Sequence, residues 1–148
     1  MAQTDLVQTV NGVTIRKATH ADIPVLEAFI AGFVDSGELL PRTLTELHDL
    51  LGNFFIAVDE DDELVGCATL EIYSKKLAEI RSLAVSPKVQ GRGVGKRLVQ
   101  ICLDLADESG VFEVMAISAK EDFFKARGFD FTLPRLRKAF FLQMRDEL

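Results

Sequence analysis

Cysteine is nearly absent from this 148-residue chain. The two present, Cys67 and Cys102, both fall in apolar patterns, with no Cys-x-x-Cys spacing and no metal-ligating cluster around them. That excludes a disulfide scaffold and reads as two reduced core residues of a cytoplasmic protein. No stretch reaches the ~18 consecutive apolar residues of a membrane span. The opening Met-Ala-Gln-Thr-Asp-Leu-Val-Gln lacks the basic and apolar regions of a secretory signal, so no membrane is expected as a partner. Basic residues are in deficit, 17 Lys and Arg against 23 Asp and Glu, for a net charge of −6. A nucleic-acid backbone is therefore not the expected partner, although a small anion bound in a local cleft is compatible with that sum. Low-complexity tracts, linkers and internal repeats are also missing.

The rest describes an ordinary globule, 48% hydrophobic and 27% charged. A chain of this length buries roughly two-thirds of its unfolded surface as one domain. We read residues 1–12 as a loose leader and 13–148 as a single domain. Residues 13–18 form a first strand. Thr19-x-x-Asp22 and Thr43-x-x-Glu46 are capping boxes that open two helices, the first running to about Asp35. Asn53 to Asp59 and Glu63 to Tyr73 are strands around the acidic turn Glu60-Asp61-Asp62, which reads as solvated rather than as a metal site because metal ligands converge from several positions. A strand over 77–85, a helix after it, a strand over 111–118, a short helix over 121–126 and a last strand over 136–145 complete the order. The fold class is α/β, a mixed sheet of hairpins followed by one βαβ crossover, with helices on both faces.

The chain is organised around Leu77 to Ser109. The strand ends in the apolar run Leu83-Ala84-Val85, and Pro87 stops its ladder for want of an N–H. Gln90-Gly91-Arg92-Gly93-Val94-Gly95-Lys96 follows, in which three glycines let main chain approach a ligand closely. A helix then buries Val94, Leu98, Ile101, Cys102 and Leu105 on one face. Unpartnered first-turn N–H groups and the helix dipole make its start an anion site, with Arg92, Lys96 and Arg97 beside it. The spacing does not fit a P-loop, since Gly91 and Gly95-Lys96 are too close and Arg97 stands at the hydroxyl position. A dinucleotide fingerprint fails too, because the third glycine of Gly91-x-Gly93-x-Gly95 is misplaced.

Gln90-x-x-Gly93-x-Gly95 resembles the pyrophosphate signature of the GCN5-related N-acetyltransferases, and Phe123-Phe124…Arg127-Gly128-Phe129 resembles that family's closing helix and turn. The resemblance extends over nearly the whole chain from Val13. It implies acetyl-CoA as cosubstrate, with its pyrophosphate on Gln90, Gly91, Arg92, Gly93, Val94, Gly95 and Lys96 and its pantetheine arm along Leu83, Ala84 and Val85. An amine must lose its proton before it attacks a thioester, and a carboxylate at the mouth of the central strand can take it. Glu79 is the candidate base, against the alternative of a strand carboxylate paired with Arg81; Glu71 is next. In this family a tyrosine after the fifth strand often serves as acid. The only tyrosine, Tyr73, is not there, and Ser118 lies in that region instead.

Glu38-Leu39-Leu40-Pro41-Arg42, Val65-Gly66-Cys67-Ala68, Ala78-Glu79-Ile80-Arg81-Ser82-Leu83-Ala84-Val85 and Leu133-Pro134-Arg135 followed by Arg137-Lys138 are similar to the acetyltransferase domain of N-acetylglutamate synthases. That resemblance implies glutamate as acceptor, a place in arginine biosynthesis, and Arg42, Arg81 and Lys138 as ligands of its carboxylates. Arginine suits such groups because it pairs with each carboxylate in bidentate fashion. Arginine sensing belongs to the kinase-like domain of the long synthases and is not carried over. The tail Arg137-Lys138-Ala139-Phe140-Phe141 and Ser82, where some members have cysteine, depart from the pattern. An acetyltransferase for another small amine or a protein N-terminus, and an inactive CoA-binding module, are the alternatives. The phenylalanines at 123, 124, 129, 131, 140 and 141 read as core, with a homodimer seam as the other option.

Overall fold

A computed structural model describes residues 7–131 and 140–145 of the chain. Its first hairpin follows from a dipeptide. Asn11-Gly12 takes φ values of 46° and 82°, the left-handed pair that a two-residue type I′ hairpin requires and that Asn and Gly adopt most readily. It joins β1 (Gln8–Val10) to β2 (Val13–Lys17), with Val10 opposite Val13. Strand β1 thus lies inside the stretch expected to be a loose leader, and the Asn-Gly pair is the sequence signal for it.

Both capping boxes form. The Asp22 carboxylate accepts the Thr19 N–H at 2.7 Å and stands before α1 (Ile23–Asp35). The Thr43 hydroxyl accepts the Glu46 N–H at 3.1 Å and opens α2 (Leu44–Leu50). Strands β3 (Phe54–Val58) and β4 (Leu64–Ile72) follow. In the acidic turn between them, Asp59 Oδ1 accepts the N–H groups of Asp61 and Glu63, each at 2.9 Å. Then come β5 (Leu77–Val85), α3 (Val94–Glu108) and β6 (Glu113–Ala116). The six strands lie in chain order, antiparallel from β1 to β5, and β6 joins β5 in parallel through the α3 crossover. This is the expected mixed α/β sheet.

Its two faces are covered by different helices. Phe54, Ile56, Cys67 and Ala84 pack with Ile23, Leu26 and Ile30 of α1 and Leu47 of α2. Phe55 and Ala57 point the other way by strand alternation, toward the face where α3 lies. A Cβ at Gly66 would meet the Ala57 Cβ at 3.2 Å and Leu98 Cδ1 of α3 at 3.4 Å. The buried stripe of α3 is Val94, Leu98, Val99, Ile101, Cys102 and Ala106, while Leu105 is half-buried. Both cysteines are free and buried. No helix among the described residues is long and apolar enough to cross a membrane.

The chain divides into two compact units, Met1–Ile117 and Ser118–Leu148, where one domain over 13–148 is the sequence expectation. The second contains α4 (Glu121–Ala126). There Phe124 meets the rings of Phe123 and Phe129 edge-on at 5.1 and 5.3 Å, and Lys125 lies over Phe131. Phe140 and Phe141 are exposed, against the core reading. Of the last expected strand, residues 140–145 carry no regular structure and 136–139 lie outside the described residues.

Leu98 is fully buried between α3 and the sheet, so Leu98→Ala should cost about 2–5 kcal/mol of unfolding free energy in a urea titration. The Asp22 carboxylate takes two hydrogen bonds from Arg16, at 2.7 and 2.9 Å, and these hold it down at about 2. The stability this gives is complete above the ordinary carboxylate range near 3.9 and is lost as the pH falls through about 2. Melting curves of Asp22→Asn should therefore lie below wild type at neutral pH and converge on it between about pH 4 and pH 2.

Candidate active site

Strand β5 has two neighbours along only part of its length. It pairs with β6 from Leu77 to Ile80 and with β4 from Ala78 to Val85. From Arg81 to Val85 it has, among the described residues, a strand neighbour on the β4 side alone. The β4 pairing is itself irregular: Cys67 faces Ala84 and Thr69 faces Arg81, so β5 holds one residue more than its partner over this span. Such a bulge bends its strand. Ser82 sits in it at φ 53°, a left-handed value uncommon for serine. Two side chains grip the bulge. Cys67 Sγ donates to the Ser82 carbonyl at 3.1 Å, and Arg42 Nε donates to the Ser82 hydroxyl at 3.1 Å. Leu83, Ala84 and Val85 therefore present one main-chain edge that an extended amide chain could pair with.

That edge leads into the glycine turn. The Ser86 N–H donates to the Val65 carbonyl at 2.7 Å, and Pro87–Val89 make a 3-10 turn. Gln90 reaches back toward the Val85 carbonyl at 3.5 Å. Gly91 and Gly93 adopt φ of 84° and 81°, and Gly93 is the residue before α3. Gly95 falls inside the first helical turn. Among the described residues the N–H groups of Gly91, Gly93, Val94, Gly95 and Lys96 have no acceptor. Gly91, Arg92, Gly93, Lys96, Arg97 and Gln100, with Val10 and Asn11 of the first hairpin, line an open cleft of about 560 Å³. Neither Arg92 nor Lys96 has an ion-pair partner among the described residues. Free amides, a helix start and unpaired cations can together receive a polyanion.

At the other end of β5 lies a cluster of titratable side chains. Glu71 and Glu79 face each other across β4 and β5, a register in which two carboxylates repel. Arg81 and Tyr73 offset that repulsion. Arg81 Nη1 donates to Glu71 at 2.8 Å, and its Nε stands 3.9 Å from Glu79 Oε1. The Tyr73 hydroxyl donates to Glu79 Oε1 at 2.6 Å and to Glu71 at 3.3 Å. Burial, and then the bond to Glu79, push the Tyr73 phenol up to about 12. Glu79 is 8% exposed. Its Oε2 has no hydrogen-bond partner among the described residues, yet it is not among their buried unsatisfied atoms, so it opens onto solvent. That oxygen can accept a proton.

The expected substrate cations are placed unequally. The Arg42 side chain is 5% exposed and donates to Glu46 at 2.9 Å as well as to Ser82. Burial raises the Glu46 carboxyl, but the bonds from Arg42 and Thr43 outweigh it and hold the carboxyl below its usual range. Arg42 and Arg81 thus each hold a protein carboxylate already. Ser118 lies in the second unit, where its hydroxyl accepts the Lys120 N–H at 3.0 Å. Lys138 lies outside the described residues. Sequence reasoning missed Tyr73 as the partner of Glu79. It also missed Asn11, whose only sequence signal was the Asn-Gly turn.

The acetyltransferase (GNAT) family model matches residues 25–129. An uncharacterized N-acetyltransferase of Chlorobaculum tepidum is 33% identical over 115 residues, covering 78% of this chain and 74% of that protein. An amino-acid acetyltransferase of Neisseria meningitidis is 36% identical over 119 residues, 79% of this chain but 27% of the relative's length. Among solved structures, the N-acetylglutamate synthase of Neisseria gonorrhoeae, complexed with coenzyme A and N-acetyl-glutamate, superposes with a TM-score of 0.70 at 35% identity, covering 78% of this chain and 27% of that one. With the family pattern spanning β3 to β6, the glycine turn and α3, the chain belongs to the GNAT family and is an acetyl-CoA-dependent N-acetyltransferase.

Proposed function

We propose that the protein moves the acetyl group of acetyl-CoA to the α-amine of an amino acid, L-glutamate first among them, with Glu79 as general base. The observation that carries this reading is the layout of β5. One strand places a carboxylate with a solvent-facing oxygen at one end, an unpaired main-chain edge in its middle, and a turn of acceptor-free N–H groups at the other. In this reading the diphosphate sits on the amides and side chains of 90–96, and the pantetheine arm pairs with Leu83, Ala84 and Val85. The thioester then lies toward Glu79.

The chemistry asks little of the protein beyond this placement. Tyr73 fixes Glu79 through Oε1, which leaves Oε2 to take a proton from the substrate ammonium. The neutral amine attacks the thioester carbonyl, the C–N bond forms and the C–S bond breaks, and the leaving thiolate takes up the proton that the new amide nitrogen sheds. A thiolate with a pKa of about 8.5 needs at most a weak acid, and Ser118 is the residue that the family resemblance offers for it. Arg42 uses Nε and Nη1 on Ser82 and Glu46 and retains its other donors, while Arg81 keeps donors beyond the Nη1 contact to Glu71. These, with Lys138, are the proposed ligands of the substrate carboxylates. The names of the Neisseria relatives support an amino-acid acceptor, and the resemblance to N-acetylglutamate synthases is what adds a role in arginine biosynthesis.

Thiol release from acetyl-CoA, measured against a panel of amines, tests the reading: release should rise with glutamate and saturate. Release with polyamines or peptides alone would move the acceptor to another class. CoA binding without turnover on any amine would make the chain a regulatory module. Glu79→Gln should lower kcat by roughly 10²–10⁴-fold and leave CoA binding nearly unchanged. Arg42→Ala should raise the KM for glutamate by roughly tenfold or more, as expected for loss of a charge-assisted pair, with a smaller loss of CoA affinity because Arg42 also grips the Ser82 bulge. If it weakened CoA more than glutamate, Arg42 would belong to the other half of the site.

A further inference from the structure

We propose that Asn11, at the tip of the first hairpin, is a positioning residue for the cofactor site: its side chain anchors the Arg92–Gly93 peptide and so sets the direction of a turn amide. The inference rests on the reading that this turn seats the diphosphate of acetyl-CoA, and it assigns a role to the stretch before residue 13.

Asn11 Nδ2 donates to the Arg92 carbonyl at 2.7 Å, across 81 positions of sequence. Arg92 is the residue between the two left-handed glycines, Gly91 and Gly93. Arg92 stands before the N-cap Gly93, and the Lys96 N–H, in the first turn of α3, is one of the amides that any helix start leaves without an intrahelical partner. The Arg92 carbonyl lies outside the helix and is turned to Asn11. The peptide plane extends the effect. In a trans peptide the C=O and the following N–H point in opposite directions. Anchoring the Arg92 carbonyl therefore also sets the direction of the Gly93 N–H, another amide without an acceptor.

Glycines at these positions let the turn reach its shape but also leave it free to depart from it. A single hydrogen bond from outside the turn removes that freedom before a ligand arrives, which is how preorganisation raises affinity. The rest of the hairpin supports the contact. Val10 Cγ2 lies 3.8 Å from where a Gly93 Cβ would be, and Gln8 Oε1 accepts from Arg97 Nη1 at 3.3 Å. Val10 and Asn11 line the same cleft as Gly91, Arg92 and Gly93. The hairpin thus forms one wall of the phosphate site.

The left-handed φ of Asn11 makes a clean test available. Asn11→Gly keeps a residue that accepts φ 46° and removes only the amide group. Asn11→Asp keeps a turn residue of the same shape and sets a carboxylate against the Arg92 carbonyl. Calorimetric titration of the full chain with CoA should show Kd raised about fivefold in Asn11→Gly, the worth of one exposed hydrogen bond, and further in Asn11→Asp. Affinity for pantetheine, which has the arm without the diphosphate, should stay within about twofold of wild type, whereas general disruption would weaken both ligands. CoA affinity in Asn11→Gly within about twofold of wild type would overturn the role of Asn11. Wild-type protein that binds pantetheine as tightly as CoA would overturn the diphosphate reading on which it rests.

Discussion

Strand β5 parts from β6 after Ile80 while remaining paired with β4, and the molecule's chemistry depends on that parting. A strand inside a sheet normally uses both edges of its main chain, so a row of unpaired amide groups in a sheet's interior is costly unless something else meets it. Here the chain enters the bulge at Ser82 just past the split, bound by Cys67 and Arg42 on a side chain and a carbonyl. A left-handed serine is uncommon enough that its surroundings must enforce it. The two contacts on Ser82 come from β4 and from the start of α2, so three separate parts of the chain agree on the bend.

The electrostatics follow the same axis. The protein is acidic as a whole, but its charges are sorted along β5. At the start of the strand Glu71 and Glu79 outnumber Arg81, and a tyrosine hydroxyl bridges the two acids. At its far end Arg92 and Lys96 stand beside amides with no acceptors. A negative group is therefore drawn to one end and a positive ammonium to the other. The net charge of −6 says nothing of this, because fields in a cleft follow local groups more than sums.

Much of this was legible from local patterns. Strand β5 and helix α4 occupy the residues that alternation and flanking signals gave them, and both capping boxes close as their spacing requires. These features depend on neighbours a few positions away. What stayed hidden depends on register and distance. The Tyr73–Glu79 bond exists because a tight turn folds the end of β4 back over the start of β5, and the Arg81–Glu71 pair is a diagonal contact set by the same register. Arg42 reaches Ser82, forty positions away, a contact that no local pattern announces. The Asn11 contact spans most of the chain, and no periodicity announces it.

Gly66 has a consequence for the whole upper layer. A Cβ there would meet the Ala57 methyl at 3.2 Å and the Ala84 carbonyl and Leu98 Cδ1 at 3.4 Å, so α3 is seated against the sheet at a position that carries no side chain. The first turn of that helix carries the amides of the phosphate site, and β5 beneath it carries the carboxylate. A methyl at position 66 would ask those neighbours to give by a few tenths of an ångström, so the seating of the helix that closes the phosphate turn is set by an atom that the strand beneath it does not have.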